Sequence, residues 1–552
     1  MPFLFLRRMK KNGIFSKGLI LTMACLLLAS CYPLATGSVK WRIVWKPSLK
    51  DYKKEIIQTI TEEAQPSEKP LNIILIVADD LGKAEVSAYG SKRVPTPNID
   101  QIGKDGVIFT DAYVSSPVCA PSRAGLMTGR SQNRFGFETQ SYEQYPSNMI
   151  EYVTGRYLAK TENWVIMSKP VFPREWQIIR QGLPPSEVNI AELLKAKDYK
   201  TGITGKWHLG HHRRLKPLAR GFDYQYGFYG ASTIYTPEQE TEGYATHIQN
   251  TFSSKYQWKN ERNELSAILV NDKRIIEEDY LTFAIRDQAN NFIEAHKDEP
   301  FFLYVPFSAP HVPFQAPDEY YDKFDHIQDD NKRVYYAMIS ALDDAIGAIH
   351  QKVKDAGLED NTMIIFISDN GGAEYTKATD NYPLKGGKLT QFEGGLNVPF
   401  VMKWKGQIPA GTVYNNAVSS LDIFTTIAAA VDLKVPKDRV YDGVDLLPYI
   451  LNDSEMAPVP HDVLYWRADH IWAIRKGIFK LIMSNRDGWV ELYNLKEDKS
   501  EMYDLRKEHP EIVQTLIAEH MEWQKELPEK PLWPKFMDYR YVIDSTEYMF
   551  PP

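Results

Sequence analysis

The stretch from Cys119 to Arg130 holds the residues of this chain that are best suited to chemistry. It reads Cys-Ala-Pro-Ser-Arg-Ala-Gly-Leu-Met-Thr-Gly-Arg. Pro121 suits the first position of a helix, so we expect Cys119 at a helix N-terminus, where free backbone amides favour an anion. Arg123 follows four residues later and would project from the same helix face. The stretch predicts a nucleophile, an anion site and a fixed cation, whereas a buried structural cysteine is the alternative.

Paired oxygen donors follow two apolar runs. Residues 72–77 lead to Asp79 and Asp80, and residues 363–367 lead to Asp369 and Asn370. Continuous apolar runs are typical of buried parallel strands, and open α/β sheets place their sites at the carboxyl ends of such strands. A donor set of hard oxygens without thiolate or imidazole favours calcium and, less strongly, magnesium. The first pair alone could equally be solvated turn residues.

Four further basic residues stand in distinctive segments. Lys206 and His208 belong to Gly-Lys-Trp-His-Leu-Gly, and His311 follows the apolar run 301–305 and two prolines. Lys388 ends Pro-Leu-Lys-Gly-Gly-Lys, shortly before Glu-Gly-Gly. An isolated histidine usually has a structural role, and a lysine in a loop is usually solvated. These residues therefore indicate a functional site only when they are considered together with the other motifs.

Taken together, the segments resemble the formylglycine-dependent (type I) sulfatases of the alkaline phosphatase superfamily, over about residues 70–525. The matching motifs are C-x-P-S-R-x-x-x-x-T-G-R, G-K-W-H-L-G, P-L-R-G-x-K and E-G-G. The resemblance implies that a maturation enzyme oxidises Cys119 to formylglycine (3-oxoalanine). One hydroxyl of the aldehyde hydrate would attack sulfur, and loss of a proton from the other would release sulfate. The implied calcium ligands are Asp79, Asp80, Asp369, Asn370 and the modified Cys119.

The resemblance also implies roles for the cations. Arg123 would hold the formylglycine hydrate, and Lys206 and Lys388 would neutralise the sulfate oxygens, a form of electrostatic stabilisation that usually dominates catalysis. Asn397 stands where the family usually has arginine. That departure weakens the expected local support of the Lys388 loop.

The resemblance implies that Asp369, His208 and His311 carry out the proton transfers. Asp369 would take a proton from the attacking hydroxyl, and His208 would take one during sulfate release. His311 would protonate the leaving alcohol, because an unperturbed imidazole titrates near neutrality.

Two segments between the motifs are candidates for substrate specificity. Residues 138–185 look like an insertion rich in aromatic and basic side chains, which can stack on sugars or meet anionic groups, or which could form a small core of their own. These side chains are Tyr142, Tyr145, Tyr152, Arg156, Tyr157, Lys160, Trp164, Lys169, Arg174 and Trp176. The second segment directly follows the predicted catalytic loop and favours a substrate subsite. It comprises His211, His212, Arg213 and Arg214.

The N-terminus predicts export. Basic residues precede a short apolar run that ends in Leu-Ala-Ser-Cys31, which resembles a bacterial lipobox with Cys31 as the lipidated residue. Tyr32 after that cysteine favours the outer membrane. An ordinary signal peptide or an uncleaved anchor is the alternative. Of the three cysteines, only Cys119 would remain in the folded body.

The elements that must position these residues predict an α/β fold. We expect a large mixed, mostly parallel sheet between helices, and a small C-terminal antiparallel sheet with one helix. The predicted organisation is a signal peptide at 1–31, a tether at 32–70 with a helix near 49–61, a catalytic domain at 71–455 and a C-terminal subdomain at 456–552. Four short strands at 464–494 and a helix at 510–525 make up that subdomain.

The length of 552 residues and net charge of −7 fit a soluble body without general nucleic-acid affinity. The sequence therefore predicts a lipid-anchored sulfatase acting on a sulfated polysaccharide, with ulvan or carrageenan favoured over glycosaminoglycans. A formylglycine-dependent phosphonate or phosphate ester hydrolase, and a non-catalytic glycan-binding lipoprotein, are the alternatives.

Overall fold

The computed structural model describes residues 48–64, 70–141, 145–146, 148–158, 163–166, 171–247, 262–451 and 458–552. A ten-stranded sheet crosses the molecule. Its strand order is Thr412–Tyr414, Val107–Phe109, Phe400–Trp404, Thr362–Ser368, Asn72–Ala78, Phe301–Pro306, Lys200–Lys206, Tyr224–Phe228, Leu269–Val270 and Lys273–Arg274. The five strands from Thr362–Ser368 to Tyr224–Phe228 are parallel, and antiparallel pairs flank them on both sides. The predicted mixed sheet is confirmed.

Helices cover both faces of this sheet, which explains why its central strands are apolar without alternation. In Asn72–Ala78, Ile73 and Leu75 join one core cluster while Ile74 and Ile76 join the other. One face carries the helices Pro97–Lys104, Leu281–Ala295 and Asp330–Asp355, and the other carries Cys119–Thr128, Ile190–Leu194 and Asp422–Ala430. The remaining α-helices are Ser48–Glu63, Met149–Val153, Glu175–Ile178, Asp318–Tyr321, Glu393–Leu396, Leu447–Ile450 and Pro510–Gln524.

The C-terminal region contains the predicted antiparallel sheet. Its strands are Val463–Ala468, Ile471–Lys476, Phe479–Ser484 and Val490–Asn494. The helix Pro510–Gln524 packs on one face, where Leu516 contacts a cluster that includes Ile474 and Leu481. These boundaries agree with the sequence to within one or two residues.

A second antiparallel sheet was not predicted. The C-terminal hairpin Met537–Ile543 and Thr546–Phe550 pairs with Trp164–Ile166 from the insertion. The described residues contain two further pairs of short strands. Tyr244–His247 pairs with Phe314–Pro317, and Ala112–Tyr113 pairs with Val418–Ser419.

The helix expected near residues 49–61 is present as Ser48–Glu63 and is docked on the body. Lys53 Nζ donates to Glu187 O at 3.0 Å and pairs with Glu192. Burial lowers the pKa of Lys53 to about 8. Within the described residues, no helix combines the length and apolar character needed to span a bilayer. The predicted signal peptide and Cys31 lie outside the described residues, and the domain division stays a prediction.

Candidate active site

Cys119 begins a helix that is buried along its whole length, Cys119–Thr128. Pro121 occupies the third position rather than the first, which is tolerated because none of the first backbone amides has a partner inside the helix. Gly129 ends the helix with φ 66°, a left-handed conformation that favours glycine. The Cys119 thiol donates to Asp80 Oδ1 at 3.6 Å, and burial raises its pKa. An unmodified Cys119 is therefore a neutral thiol and a poor nucleophile.

The predicted oxygen donors lie beside this cysteine. Ala78 and Ser368 are register partners on adjacent parallel strands, so the residues that follow them leave the sheet side by side. The Asp80 amide donates to Asp369 Oδ1 at 3.2 Å, and Asn370 Nδ2 donates to Asp80 Oδ1 at 2.8 Å. Asp80 has φ 64°, which turns the chain sharply after the strand.

The donor set fits a hard divalent cation. Asp79 Oδ1 and Asn370 Oδ1 are buried without a hydrogen-bond partner among the described residues, and a buried unpaired acceptor is costly unless a cation or water satisfies it. One possible ligand atom each from Asp79, Asp80, Cys119 and His311 lies within 4.8 Å of the others. Asp369 and Asn370 adjoin this group through their hydrogen bonds with Asp80, so further carboxylate and amide oxygens, the ligands that calcium prefers, lie next to it.

Three buried cations pair with the three carboxylates of the cluster. Lys206 Nζ lies 2.6 Å from Asp79 Oδ2, and Lys388 Nζ lies 2.7 Å from Asp80 Oδ1. Arg123 Nε lies 2.8 Å from Asp369 Oδ2. Because these charges balance, a bound divalent cation would leave the pocket positive and suited to a sulfate group.

The pKa values of the acids follow from these pairs. Burial by itself would raise the pKa of Asp80, but Lys388, His311 and Lys206 together hold it below its usual value. Burial raises the pKa of Asp369 to about 6, although Arg123 opposes the shift. A carboxylate with such a pKa can act as a base near neutral pH.

Both predicted histidines face this cluster. His311 Nδ1 lies 2.6 Å from Val312 O, which leaves Nε2 directed at Asp80 Oδ2, 3.6 Å away. Within the described part of the chain, neither ring nitrogen of His208 has a hydrogen-bond partner. We expected His311 to titrate near neutrality, but burial lowers its pKa to about 3, and Asp80 only partly opposes the shift. Burial and the charge of Lys206 likewise hold His208 in its neutral form by lowering its pKa.

The Lys388 loop is supported from outside its own segment. The Lys388 amide donates to Gly372 O at 3.0 Å, and Tyr541 of the C-terminal hairpin donates to Lys388 O at 3.0 Å. Asn397, the departure from the family pattern, donates to Glu393 Oε2 at 3.0 Å. Lys480 reaches Glu393 Oε1 at 2.7 Å from the C-terminal sheet. The loop therefore keeps a cationic support despite the missing arginine.

The predicted substrate residues follow His208 by three to six positions and are at least partly exposed. His211 and His212 are half-buried, whereas Arg213 and Arg214 are exposed. Burial lowers the pKa of His212, and the nearby charges of Arg180, Arg213 and Arg214 lower it further. The insertion thus adds Arg180 to the positive patch that these residues form.

Part of the insertion forms a small core, as the structural alternative predicted. Tyr152 and Ile166 pack with Phe536 near the C-terminal hairpin, and Tyr145 and Phe172 lie against them. Tyr142, Lys160 and Lys169 lie outside the described residues. Sequence reasoning missed the hairpin itself, although aromatic runs on either side of an Asp-Ser turn are a hairpin signal.

Comparisons with known proteins agree with this geometry. The family model described as Sulfatase matches residues 71–433, and one described as N-sulphoglucosamine sulphohydrolase, C-terminal, matches residues 387–526. N-acetylgalactosamine-6-sulfatase of Rattus norvegicus is 31% identical over 417 residues, which cover 75% of this chain and 71% of that protein. An arylsulfatase of Hemicentrotus pulcherrimus is 30% identical over 430 residues, which cover 76% of this chain and 68% of that protein.

A solved structure extends the similarity to the fold. The crystal structure of Ps i-CgsB in complex with k-i-k-neocarrahexaose superposes with a TM-score of 0.69 at 32% sequence identity, covering 84% of this chain and 95% of that one. The PsFucS1 sulfatase from Pseudoalteromonas sp. shares the fold with a TM-score of 0.62 at 23% identity. The chain therefore belongs to the sulfatase family, and it is a sulfuric ester hydrolase.

Proposed function

We propose that this protein removes sulfate from a sulfated saccharide, using calcium and a formylglycine formed from Cys119. The observation that carries the proposal is the buried cluster in which Cys119 lies against Asp80, with every carboxylate paired to a cation. When present, the formylglycine hydrate supplies the nucleophile and calcium supplies positive charge. The unmodified Cys119 thiol, whose pKa burial raises, stays protonated and cannot replace the formylglycine hydrate as the nucleophile.

Other side chains of the cluster bind the sulfate group and accept a proton. Lys206 and Lys388 are fixed donors that can bind the sulfate oxygens, because both ammonium groups are buried beside the cluster. Asp369 has a carboxylate that can accept a proton during attack, and burial raises its pKa in the metal-free protein. Arg123 holds Asp369 at 2.8 Å and orients it.

His208 and His311 carry out the other two proton transfers. His208 is neutral in this structure, so it is ready to act as a base. His311 must be protonated to donate to a leaving alcohol, and a pKa of about 3 keeps it neutral in the free protein. The negative charge of a bound sulfate ester would raise that pKa. Protonation of His311 would thus accompany substrate binding.

The relatives support a saccharide substrate. One is named for N-acetylgalactosamine-6-sulfate hydrolysis, and another was crystallised with neocarrahexaose. We therefore favour carrageenan-type oligosaccharides, followed by sulfated N-acetylgalactosamine units, and keep ulvan as a further candidate. The positive patch of Arg180, Arg213 and Arg214 would receive additional anionic groups of such a chain.

The predicted export signal adds a location. We propose that Cys31 carries a lipid that anchors the enzyme to the outer membrane, close to polymeric substrate. Metabolic labelling with a fatty acid should mark the wild-type protein and leave Cys31→Ser unlabelled. Labelling of both proteins would contradict this assignment.

The central experiment tests chemistry and substrate together. The protein is produced with and without a formylglycine-generating enzyme, and the peptide containing Cys119 is analysed by mass spectrometry. The matured protein should carry an aldehyde at Cys119 and release sulfate from carrageenan oligosaccharides, whereas Cys119→Ala should release none. Cleavage of phosphonate esters without any sulfate release would favour the alternative hydrolase. Saccharide binding by a matured but inactive protein would favour the non-catalytic alternative.

A further inference from the structure

Four aromatic side chains form a continuous wall that leads outward from the Lys388 loop. This aromatic wall consists of Trp164, Tyr375, Tyr539 and Tyr541. The Tyr541 and Tyr539 rings lie 5.0 Å apart, and Tyr539 lies 5.3 Å from Tyr375 and 4.8 Å from Trp164. The centres of the Trp164 and Tyr375 rings lie 6.5 Å apart.

One end of the wall is fixed to the catalytic pocket. Tyr541 donates to Lys388 O at 3.0 Å, and Lys388 Nζ contacts the Asp80 carboxylate. Tyr375 follows Asn370 by a few residues in the same loop. The Lys388 amide donates to Gly372 O at 3.0 Å, three residues before Tyr375. The segment that carries Tyr375 is therefore joined to the Lys388 loop.

Two of the four rings are only partly covered by the protein. Tyr539 and Tyr541 are buried at 6% and 5% exposure, but Trp164 and Tyr375 are only half-buried. The buried pair supports the two outer rings, since Tyr539 contacts both of them. Trp164 and Tyr375 also pack against the main core cluster, so two rigid aromatic rings are held in place while part of their surface stays exposed.

The wall is built from segments distant in the chain. Trp164 belongs to the insertion and pairs with Tyr539 across the three-stranded sheet. Tyr548 and Phe550 of the same hairpin pack on Phe392, which lies in the loop after Lys388. The hairpin also lies beyond residue 526, where the matched family regions end. Tyr539 and Tyr541 therefore lie outside the regions that the family models match, whereas Trp164 and Tyr375 lie inside the first of them.

We propose that the outer rings of the aromatic wall, Trp164 and Tyr375, bind a pyranose ring of the saccharide whose sulfate group lies against Lys388. The inference rests on the proposed function and deepens it by assigning a sugar subsite. An aromatic ring offers a flat apolar face at low entropic cost, and the C–H face of a pyranose is complementary to it. A sugar sulfate ester can make this ring contact, whereas free sulfate has no sugar and would be bound by the cations of the pocket alone.

The test compares matured wild-type enzyme with Trp164→Ala, Tyr375→Ala and Trp164→Phe. Sulfate release from a sulfated hexasaccharide is measured, and inorganic sulfate serves as a competitive inhibitor that probes the anion pocket alone. Each alanine variant should raise KM for the hexasaccharide by about five- to tenfold and leave kcat and the inhibition constant of sulfate unchanged. Trp164→Phe should restore most of the lost affinity, because it retains a ring.

Tyr503→Ala serves as the matched control, since Tyr503 is 73% exposed on the C-terminal body. It should behave like the wild-type enzyme toward both probes. An unchanged KM in both alanine variants would overturn the inference and leave the proposed function intact. A parallel loss of sulfate inhibition would also overturn it, since the wall would then support Lys388 and bind no sugar. If the wild-type enzyme releases no sulfate from any saccharide, the proposed function fails and the inference with it.

Discussion

Lys480 Nζ lies 2.7 Å from Glu393 Oε1, although the two residues are 87 positions apart. Lys480 belongs to the C-terminal sheet, whereas Glu393 begins a short helix. The same ammonium group lies 2.9 Å from Glu501, whose carboxylate also accepts from the Glu393 amide at 2.6 Å. All three side chains are almost completely buried. This triad joins the C-terminal sheet to the Glu-Gly-Gly segment that follows Lys388.

Removal of Lys480 should damage both stability and turnover. Lys480→Met leaves two buried carboxylates without their cation, and such a loss typically costs about 3–5 kcal/mol. We expect that decrease in the free energy of unfolding measured by urea titration, together with a lower kcat on every substrate. Lys476→Met on the same sheet is the control, because its partner Glu519 is solvent-accessible and such pairs contribute about 0–1 kcal/mol. Equal losses in the two variants would contradict a special role for the triad.

The triad should also make stability depend on pH. Burial, with a smaller contribution from Glu393, raises the pKa of Glu501 to about 7 despite the opposing charge of Lys480. An unfolded glutamate titrates near about 4.3, so between these values only the folded protein holds the proton. The free energy of unfolding should therefore fall as the pH rises through this window, by an amount on the order of 1–3 kcal/mol. Glu501→Gln should flatten that slope in urea titrations at about pH 5 and about pH 8.

A control separates Glu501 from a second acid of the same kind. Burial also raises the pKa of Glu374 to about 7, so this residue contributes a slope of the same sign. Glu374→Gln should remove only its own share. If Glu501→Gln retains the full wild-type slope, the assignment to the triad is wrong.

Calcium should bind to the metal-free protein and stabilise it. A ligand at about one hundred times its Kd raises the free energy of unfolding by about 2.7 kcal/mol, which thermal unfolding detects without any substrate. Asp79→Ala should abolish this stabilisation, since the Asp79 carboxylate is a predicted ligand. Asp105→Ala is the control, because the Asp105–His350–Glu359 cluster is already neutralised by Lys403. Stabilisation by zinc and none by calcium would refute the donor assignment.

Loss of His311 should affect sugar sulfates far more than activated aryl sulfates. A sugar alkoxide needs a proton to leave, whereas nitrophenolate scarcely does, and general-acid assistance amounts to about a hundredfold to ten-thousandfold. We expect His311→Ala to lower kcat on the saccharide within that range and to spare nitrophenyl sulfate. His326→Ala, at an exposed histidine, should change neither rate. Equal losses on both substrates would make His311 a binding residue.

Arg213 and Arg214 should contribute to saccharide affinity through charge. A charge-assisted contact contributes about 1.5–3 kcal/mol, but both side chains are exposed, so we expect about a tenfold rise in KM at low salt. The effect of Arg213→Ala or Arg214→Ala should shrink as ionic strength increases, while a small aryl sulfate is unaffected. Lys496→Ala, at an exposed cation in the turn after the last strand of the C-terminal sheet, is the control. Salt-independent losses on both substrates would place the arginines in the sulfate pocket or the fold.

The residues of the candidate site, and the strands that lead to them, could be predicted from the sequence and its family resemblance. Apolar runs such as Asn72–Ala78 are uninterrupted because helices bury both faces of the sheet, and the acids that follow must then share one edge. Motif spacing placed Cys119 and Arg123 on one helix face. Local patterns sufficed here because strand, helix and motif each depend on residues close together in sequence.

Folding decided the protonation states and the surroundings of the site. The low pKa of His311 results from burial beneath segments that converge only in three dimensions, and no local pattern encodes it. The triad of Lys480, Glu393 and Glu501 and the contact of Tyr541 with Lys388 join segments 87 and 153 residues apart. Aromatic residues such as Trp164 and Tyr539 follow the same alternation in a core and in a binding wall. Only the packing of the hairpin against the insertion determines which of their faces remain open to a sugar.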